Sequence, residues 1–429
     1  MRSALTRRRF VATTGLAAAM PAIVPSSVFG RPGRPAPGDR LGVGFIGMGT
    51  MNRSHLGRFV KYPDVQVVAV CDVDTPRRDS ARTTVEEAYS KEERSGPKDC
   101  AAYVDFRELI ARPDIDAVVI ATPDHWHAIP VLEACKAKKD IYCEKPLTLT
   151  VHEAKVLIDA VRKYDRVFQT GSQQRSDKEF RQACEYVRSG RIGKLMAVYV
   201  GVGGPSKPCD LPGEETEPGL DWDRWLGPAP MRPYNSVLSP RGVHKHFPNW
   251  RGYREYSGGG YTDWGAHHFD IAQWGLGMDE SGPVEIIPPE DPKAMQGLKY
   301  KYANGVEVVH GGPGATFVGT SGVISVDRGR IQSCPGKILD EPLKESDVHL
   351  YESPGHHKDW LDCIKTRKRP ICDVEIGARS VTVCHLGNIA YWTRKTLKWD
   401  PKEWKLVGDQ SAAPWLDRER RDPWQLPKV

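Results

Sequence analysis

The chain has 429 residues, enough for two domains or one large α/β enzyme with appendages. Apolar residues make up 39% and charged residues 27%, which excludes a disordered chain and a multi-span membrane protein. The formal charge of +6, from 61 basic and 55 acidic side chains, is too slight and too scattered to point to a nucleic-acid partner, and ten cysteines with no C-x-x-C pair are not a disulfide scaffold.

Residues 1–30 hold four arginines and no acid. Thr6-Arg7-Arg8-Arg9-Phe10-Val11 leads into an apolar run from Val11 to Val24, broken by Gly15 and Pro21 and too short to span a bilayer. The paired arginines with Phe10 resemble a twin-arginine export signal, with Val11 at the Leu position and no Lys after it. The expectation is a signal peptide over 1–30, a flexible leader over 31–40 and a periplasmic protein with no integral membrane segment once processed. Twin-arginine export carries folded proteins, usually because a cofactor is inserted first.

From Leu41 onward, short apolar runs alternate with amphipathic segments, which predicts a parallel sheet with crossover helices. Strands are expected at Leu41–Ile46, Val65–Val70, Ala117–Ile120, Ile141–Cys143 and Val167–Gln169, with helices at Arg58–Tyr62, Ile129–Lys138 and His152–Tyr164. The polar stretch Glu86–Cys100 reads as an insertion. The fold class is α/β: a doubly wound, Rossmann-type domain over 41–171.

The first strand runs into Gly47-Met48-Gly49-Thr50-Met51-Asn52. Two glycines let the backbone turn tightly and approach a pyrophosphate at the following helix N-terminus, and Asn52 stands where a dinucleotide fingerprint has its third glycine. Strand two ends in Asp72, 23 residues after Gly49, where a carboxylate accepts from the adenosine ribose. That acid favours NAD over NADP, although Arg77 and Arg78 stand nearby as candidates for a 2′-phosphate. Later strand ends bring Thr122, Pro123 and His127, then Glu144 and Lys145, to the same cofactor cleft.

Thr122-Pro123 with His127, followed by Glu144-Lys145-Pro146, resembles the glucose-fructose oxidoreductase, inositol dehydrogenase and MocA family, over Leu41 to about Trp399. The resemblance implies a Rossmann domain followed by an open, mostly antiparallel sheet domain, here 172–400, with a tail over 401–429. It also implies NAD-dependent oxidation of a carbinol in a carbohydrate-like small molecule, and a dimer or tetramer.

The second half patterns accordingly. Leu195–Val202 alternates as a strand, Asn304-Gly305 marks a hairpin, and Thr316–Arg328 holds two β runs about Ser321-Gly322. Gly204–Asp221 and Pro228–Trp250 read as long loops of the functional or mobile kind. Eleven of twelve tryptophans follow residue 220, suited to sugar faces and equally to a core. Gly258 to Asp270 is the densest chemical cluster, and a helix there puts Asp263, His267 and Asp270 on one face.

Asp263-x-x-x-His267 matches the family's proton-relay element. Carried over, His267 takes the hydroxyl proton, Asp263 orients it or contacts substrate, and Lys145 polarises the reacting oxygen. Arg175, after Gln173-Gln174, is a candidate substrate contact or a salt bridge, and Lys245 and Arg251 are lesser candidates. A metal reading through His244, His246, Asp263, His267 and Asp270 lacks zinc-motif spacing, so no metal is assigned. Export makes a tightly held NAD the expectation, with two outcomes open: net sugar or cyclitol oxidation, or a glycosidase or lyase that oxidises transiently, like some NAD-dependent α-N-acetylgalactosaminidases. A non-enzymatic sugar-binding protein is the distant alternative.

Overall fold

A computed structural model of the protein describes residues 35–91 and 96–429, so the expected signal peptide lies outside the described residues. Six strands form the first sheet: β1 (Leu41–Ile46), β2 (Val65–Cys71), β3 (Ala101–Tyr103), β4 (Ala117–Ile120), β5 (Asp140–Cys143) and β6 (Phe168–Thr170). They run parallel in the order β3-β2-β1-β4-β5-β6. β4 is buried along its whole length, as a strand covered by helices on both faces must be. The chain reverses direction across the sheet between β1 and β4, and ligands of such sheets bind at the strand C-terminal ends beside that point.

The five expected strands are present, and β3 is the sixth, an edge strand of three residues too short to show a period. Glu86 is not in an insertion: the helix Thr75–Lys91 runs through it, burying Val85 and Tyr89. The first crossover helix spans Thr50–Phe59, eight residues upstream of the stretch expected from its apolar end. The last residues of the expected leader hold a turn at Pro37–Asp39, and Arg40 donates to Gln66 Oε1 at 3.2 Å.

The second sheet has nine strands: β7 (Leu195–Val200), β8 (Glu285–Ile287), β9 (Lys299–Lys301), β10 (Glu307–His310), β11 (Ala315–Gly319), β12 (Val323–Asp327), β13 (Arg330–Cys334), β14 (Leu397–Asp400) and β15 (Lys405–Leu406). Their order is β13-β12-β11-β7-β10-β9-β8-β14-β15, antiparallel except where β7 pairs with β10. Asn304-Gly305 turns β9 into β10, with Gly305 at φ +85°.

One face of this sheet is covered by the helices Gly259–Leu276 and Val374–Thr393. Tyr300 stitches the layers, meeting the Tyr261 hydroxyl and donating to Val383 O at 2.8 Å. The helix Val374–Thr393 also joins the two halves: Val374, Ala378 and Val381 belong to the Rossmann core, while Val383, Leu386 and Ile389 belong to the sheet-domain core. Trp360 and Leu361, from the helix His356–Thr366, likewise pack into the first domain. No described helix is long and apolar enough to cross a membrane.

Candidate active site

Gly47 takes φ +80° at the end of β1, a conformation L side chains avoid, and a Cβ there would lie 2.9 Å from Thr122 Cγ2. The chain then enters the helix Thr50–Phe59 through Gly49, above which an added Cβ meets nothing. The open space over that helix N-terminus, with its unpaired N–H groups, suits a pyrophosphate. Asp72 is buried at the end of β2, where Oδ2 accepts from Met48 N at 2.5 Å and Oδ1 from Asp74 N at 2.8 Å. Arg77 and Arg78 are spent on local partners. Arg77 reaches Pro240 O and Gly242 O, and Arg78 donates to Asp72 O at 3.1 Å and Thr75 Oγ1 at 3.2 Å.

A cleft of about 440 Å³ runs along these strand ends. Gly47, Gly49, Asp72, Thr122, Pro123, Glu144, Lys145, Asp263 and His267 all line it. Two of the expected cofactor contacts do not. Asn52 is fully buried, and its Nδ2 donates to Ile46 O at 3.1 Å and Gly47 O at 2.8 Å, bracing the turn in place of a third glycine. The ring nitrogens of His127 lie 2.8 Å from Pro146 O and 2.9 Å from Thr122 O, so the imidazole ties together two loops of the cleft floor.

Buried polar atoms without partners among the described residues test whether a dinucleotide fits. Thr122 Oγ1, His244 Nε2 and His267 Nδ1 are three such atoms on residues lining this cleft. An orphaned buried donor or acceptor is costly, about 1–3 kcal/mol, unless something fills the space. With the glycine turn, the free helix N-terminus and Asp72, these residues fit NAD: Gly47 and Gly49 would pass the pyrophosphate and Asp72 would take the ribose.

At the opposite end, Lys145 Nζ donates to Asp263 Oδ1 at 2.9 Å and to Asp263 O at 3.0 Å. Arg251 Nε stands 3.6 Å from the same carboxylate. Burial would raise the Asp263 pKa, but Lys145 and then Arg251 outweigh it and hold it below the usual carboxylate value. No hydrogen bond joins Asp263 to His267 among the described residues, so Asp263 orients Lys145 and not the imidazole. Burial, reinforced by the Lys145 charge, pushes the His267 pKa well below its ordinary value, leaving a neutral base.

The helix Gly259–Leu276 presents this cluster. Gly259 begins it at φ +80°, where a Cβ would sit 2.4 Å from Ser206 N, so the loop after β7 and the helix start approach as only glycine permits. Asp270 does not share the catalytic face. It is fully buried against Arg175, with Oδ2 2.8 Å from Arg175 Nε, and accepts from Ser380 Oγ at 2.6 Å. Arg175, which also pairs with Asp279 at 2.7 Å, is therefore an internal ion-pair anchor and not a substrate contact. His268 turns away towards Asp327, 3.9 Å off, under the ring of Trp264. Lys245 is exposed and does not line the cleft.

Several cleft residues carry no sequence motif. Asp124 is buried and accepts from Ser257 Oγ at 2.6 Å, and burial pushes its pKa up to about 7. The loop Pro240–Pro248 folds across the fingerprint, where Thr50 Oγ1 donates to His246 O at 2.9 Å and Arg53 reaches His244 O. Trp264, 44% exposed, forms one wall with Arg328 4.8 Å above its ring. These positions come together only through tertiary packing. The signals open to sequence reading were the length of the Pro228–Trp250 loop and the adjacency of Asp124 to Thr122-Pro123 and of Trp264 to Asp263.

Residues 41–172 match the family described as "Oxidoreductase family, NAD-binding Rossmann fold", and residues 206–426 match "Oxidoreductase family, C-terminal alpha/beta domain". The chain is 31% identical over 166 residues to the myo-inositol 2-dehydrogenase of Thermotoga maritima, covering 39% of this chain and 46% of that protein. It is 32% identical over 165 residues to the alpha-N-acetylgalactosaminidase of Shewanella oneidensis, covering 37% and 34%. The matched stretch thus spans less than half the length of these curated relatives.

Among solved structures, the scyllo-inositol dehydrogenase of Lactobacillus casei with bound NAD(H) and scyllo-inositol superposes with TM-score 0.54 at 15% identity, over 84% of this chain and 99% of that one. The aldose-aldose oxidoreductase of Caulobacter crescentus gives 0.55 at 17%, with the same coverage. Both share the two-domain fold.

Proposed function

The chain belongs to the Gfo/Idh/MocA oxidoreductase family and carries its NAD-binding Rossmann domain, and from that premise we propose that it oxidises a secondary alcohol of a sugar, glycoside or cyclitol. The observation that carries this reading is the position of Lys145 and neutral His267 in the cleft that holds the dinucleotide turn. NAD, when bound, supplies a hydride acceptor. The rest of the chemistry falls to side chains. Lys145, fixed by Asp263, donates a hydrogen bond to the carbinol oxygen. His267 accepts the hydroxyl proton, which raises electron density on that oxygen as hydride leaves.

A second reading rests on Asp124. A buried cleft carboxyl that keeps its proton near neutrality is suited to protonating a leaving group. That would serve a glycosidase or lyase that oxidises a ring carbon transiently, and the likeness to an alpha-N-acetylgalactosaminidase supports it.

The basic start at Arg7-Arg8 supports export through the twin-arginine route to the periplasm, with NAD inserted beforehand and retained through turnover. Assembly as a dimer or tetramer would use the open face of the nine-stranded sheet, where Tyr199 is exposed.

The holoprotein mixed with free sugars, cyclitols and aryl glycosides decides between the two readings. Bound NADH appearing with a free sugar or cyclitol supports net oxidation, and aglycone release without net redox change supports the second reading. Neither signal across the panel contradicts both.

A further inference from the structure

The last stretch of the chain returns to the Rossmann domain and enters the dinucleotide cleft. Glu153, buried in the first domain, takes Arg418 at 3.1 Å and Arg420 at 2.9 Å. Burial would raise the Glu153 pKa, but the two arginines bring it down to about 2. Arg418 also donates to His125 O at 2.6 Å, and Arg421 donates to Gly227 O at 3.1 Å and Asp223 Oδ1 at 2.7 Å. These arginines hold the backbone so that Trp424 lies edge-on to Trp126, ring centroids 5.1 Å apart, with Arg107 5.0 Å over its ring.

Trp424 lines the cleft at one end, and the topology says which. Lys145 follows β5 and Asp72 follows β2, while Val104 and Phe106 follow β3, on the far side of β2. A dinucleotide with its reactive ring near Lys145 and its adenosine ribose on Asp72 therefore sends its base towards Val104, Phe106, Trp126 and Trp424. Trp424 is 6% exposed, and its indole N–H has no acceptor among the described residues. A buried Trp donor ordinarily finds one. Adenine supplies what is missing, a flat aromatic face with ring-nitrogen acceptors on its edge.

We propose that Trp424, delivered by the arginine-anchored C-terminal segment, forms the adenine pocket of the dinucleotide site. The proposal rests on NAD binding at this cleft and adds that the base is held by a residue outside the Rossmann domain, from the opposite end of the sequence. Affinity for the adenosine half is then coupled to docking of that segment.

The test compares NAD with nicotinamide mononucleotide, which lacks the adenosine half, by calorimetric titration of the full-length protein stripped of ligand. Trp424→Ala and Trp424→Leu, the latter keeping apolar bulk against Trp126, should each weaken NAD about ten-fold, the scale of losing one hydrogen bond to a buried partner. Nicotinamide mononucleotide should bind each variant as it binds the wild type, which also shows that the rest of the site is folded. Unchanged NAD affinity in Trp424→Leu, or equal losses for both ligands, overturns the proposal. A wild-type protein that binds neither ligand overturns the NAD reading beneath it, and the proposal with it.

Discussion

Lys145 and Asp263 come from opposite domains and meet at 2.9 Å, each with less than a fifth of its side chain exposed. A partly buried charge-assisted pair of this kind fixes the ammonium in one direction, which a flexible lysine would otherwise not hold. Lys145→Ala is expected to abolish turnover while leaving NAD bound, checked by assay beside the quantity of dinucleotide released on denaturation. His267 sets the pH response. Its pKa is pushed down, so its neutral, proton-accepting form persists as pH falls through the ordinary histidine range near 6.5. The acid limb of kcat/KM should therefore lie below pH 6.5, and a limb at or above 6.5 would assign the base to another group. The places of Gly47, Asp72 and Lys145 along the cleft were legible because each is set by backbone position at a strand end. Arg175 and Asn52 were not, because side-chain direction is decided by packing: Asp270 draws Arg175 into the core, and the turn carbonyls take Asn52.

Elements were legible where a period was long or a strand fully buried. β1, β4 and the Asn304-Gly305 hairpin follow from their residues, whereas β3 has three residues and forms because β2 offers it a ladder. The start of the helix Gly259–Leu276 shows how one element positions the chemistry. Gly259 at φ +80° lets the helix begin against the loop Gly203–Ser206, and Tyr261 N donates to Gly204 O at 2.8 Å. Gly259→Ala combines an unfavourable φ with a contact of 2.4 Å to backbone, so it should destabilise the fold by more than about 2 kcal/mol. A melting temperature within a degree of wild type would contradict this. The bridging role of the helix Val374–Thr393 was not legible, since a segment buried nearly all round gives no sign of which core each half enters.

At the scale of the molecule, residues 1–30 carry four of the basic side chains and no acid, and without them 57 basic face 55 acidic, close to neutral. A nearly neutral protein suits an uncharged carbohydrate better than a polyanion. The interior carries several neutral histidines. Burial pushes His125 down to about 3, and His356 and His385 down to about 4. Unfolding restores each to its ordinary value near 6.5, so below that pH the unfolded chain binds more protons. The stability these groups contribute is fully present above pH 6.5 and falls as pH drops towards 4. Thermal melting across that window should show a steep decline that begins before the carboxylates titrate, and a flat profile would mean that these histidines are charged in the fold.

Direct hydride transfer from a carbinol carbon underlies both catalytic readings, and isotope transfer reports on it most directly. A sugar, cyclitol or glycoside that the holoprotein accepts, deuterated at the carbon oxidised, is mixed with it and quenched within the first turnover, before an oxidised intermediate can be reduced again, and the reduced dinucleotide is released and weighed. Hydride transfer in this cleft predicts NADH heavier by one deuterium in the wild type and no NADH in Lys145→Ala. Unlabelled NADH from the wild type, or labelled NADH formed equally well by Lys145→Ala, would contradict it.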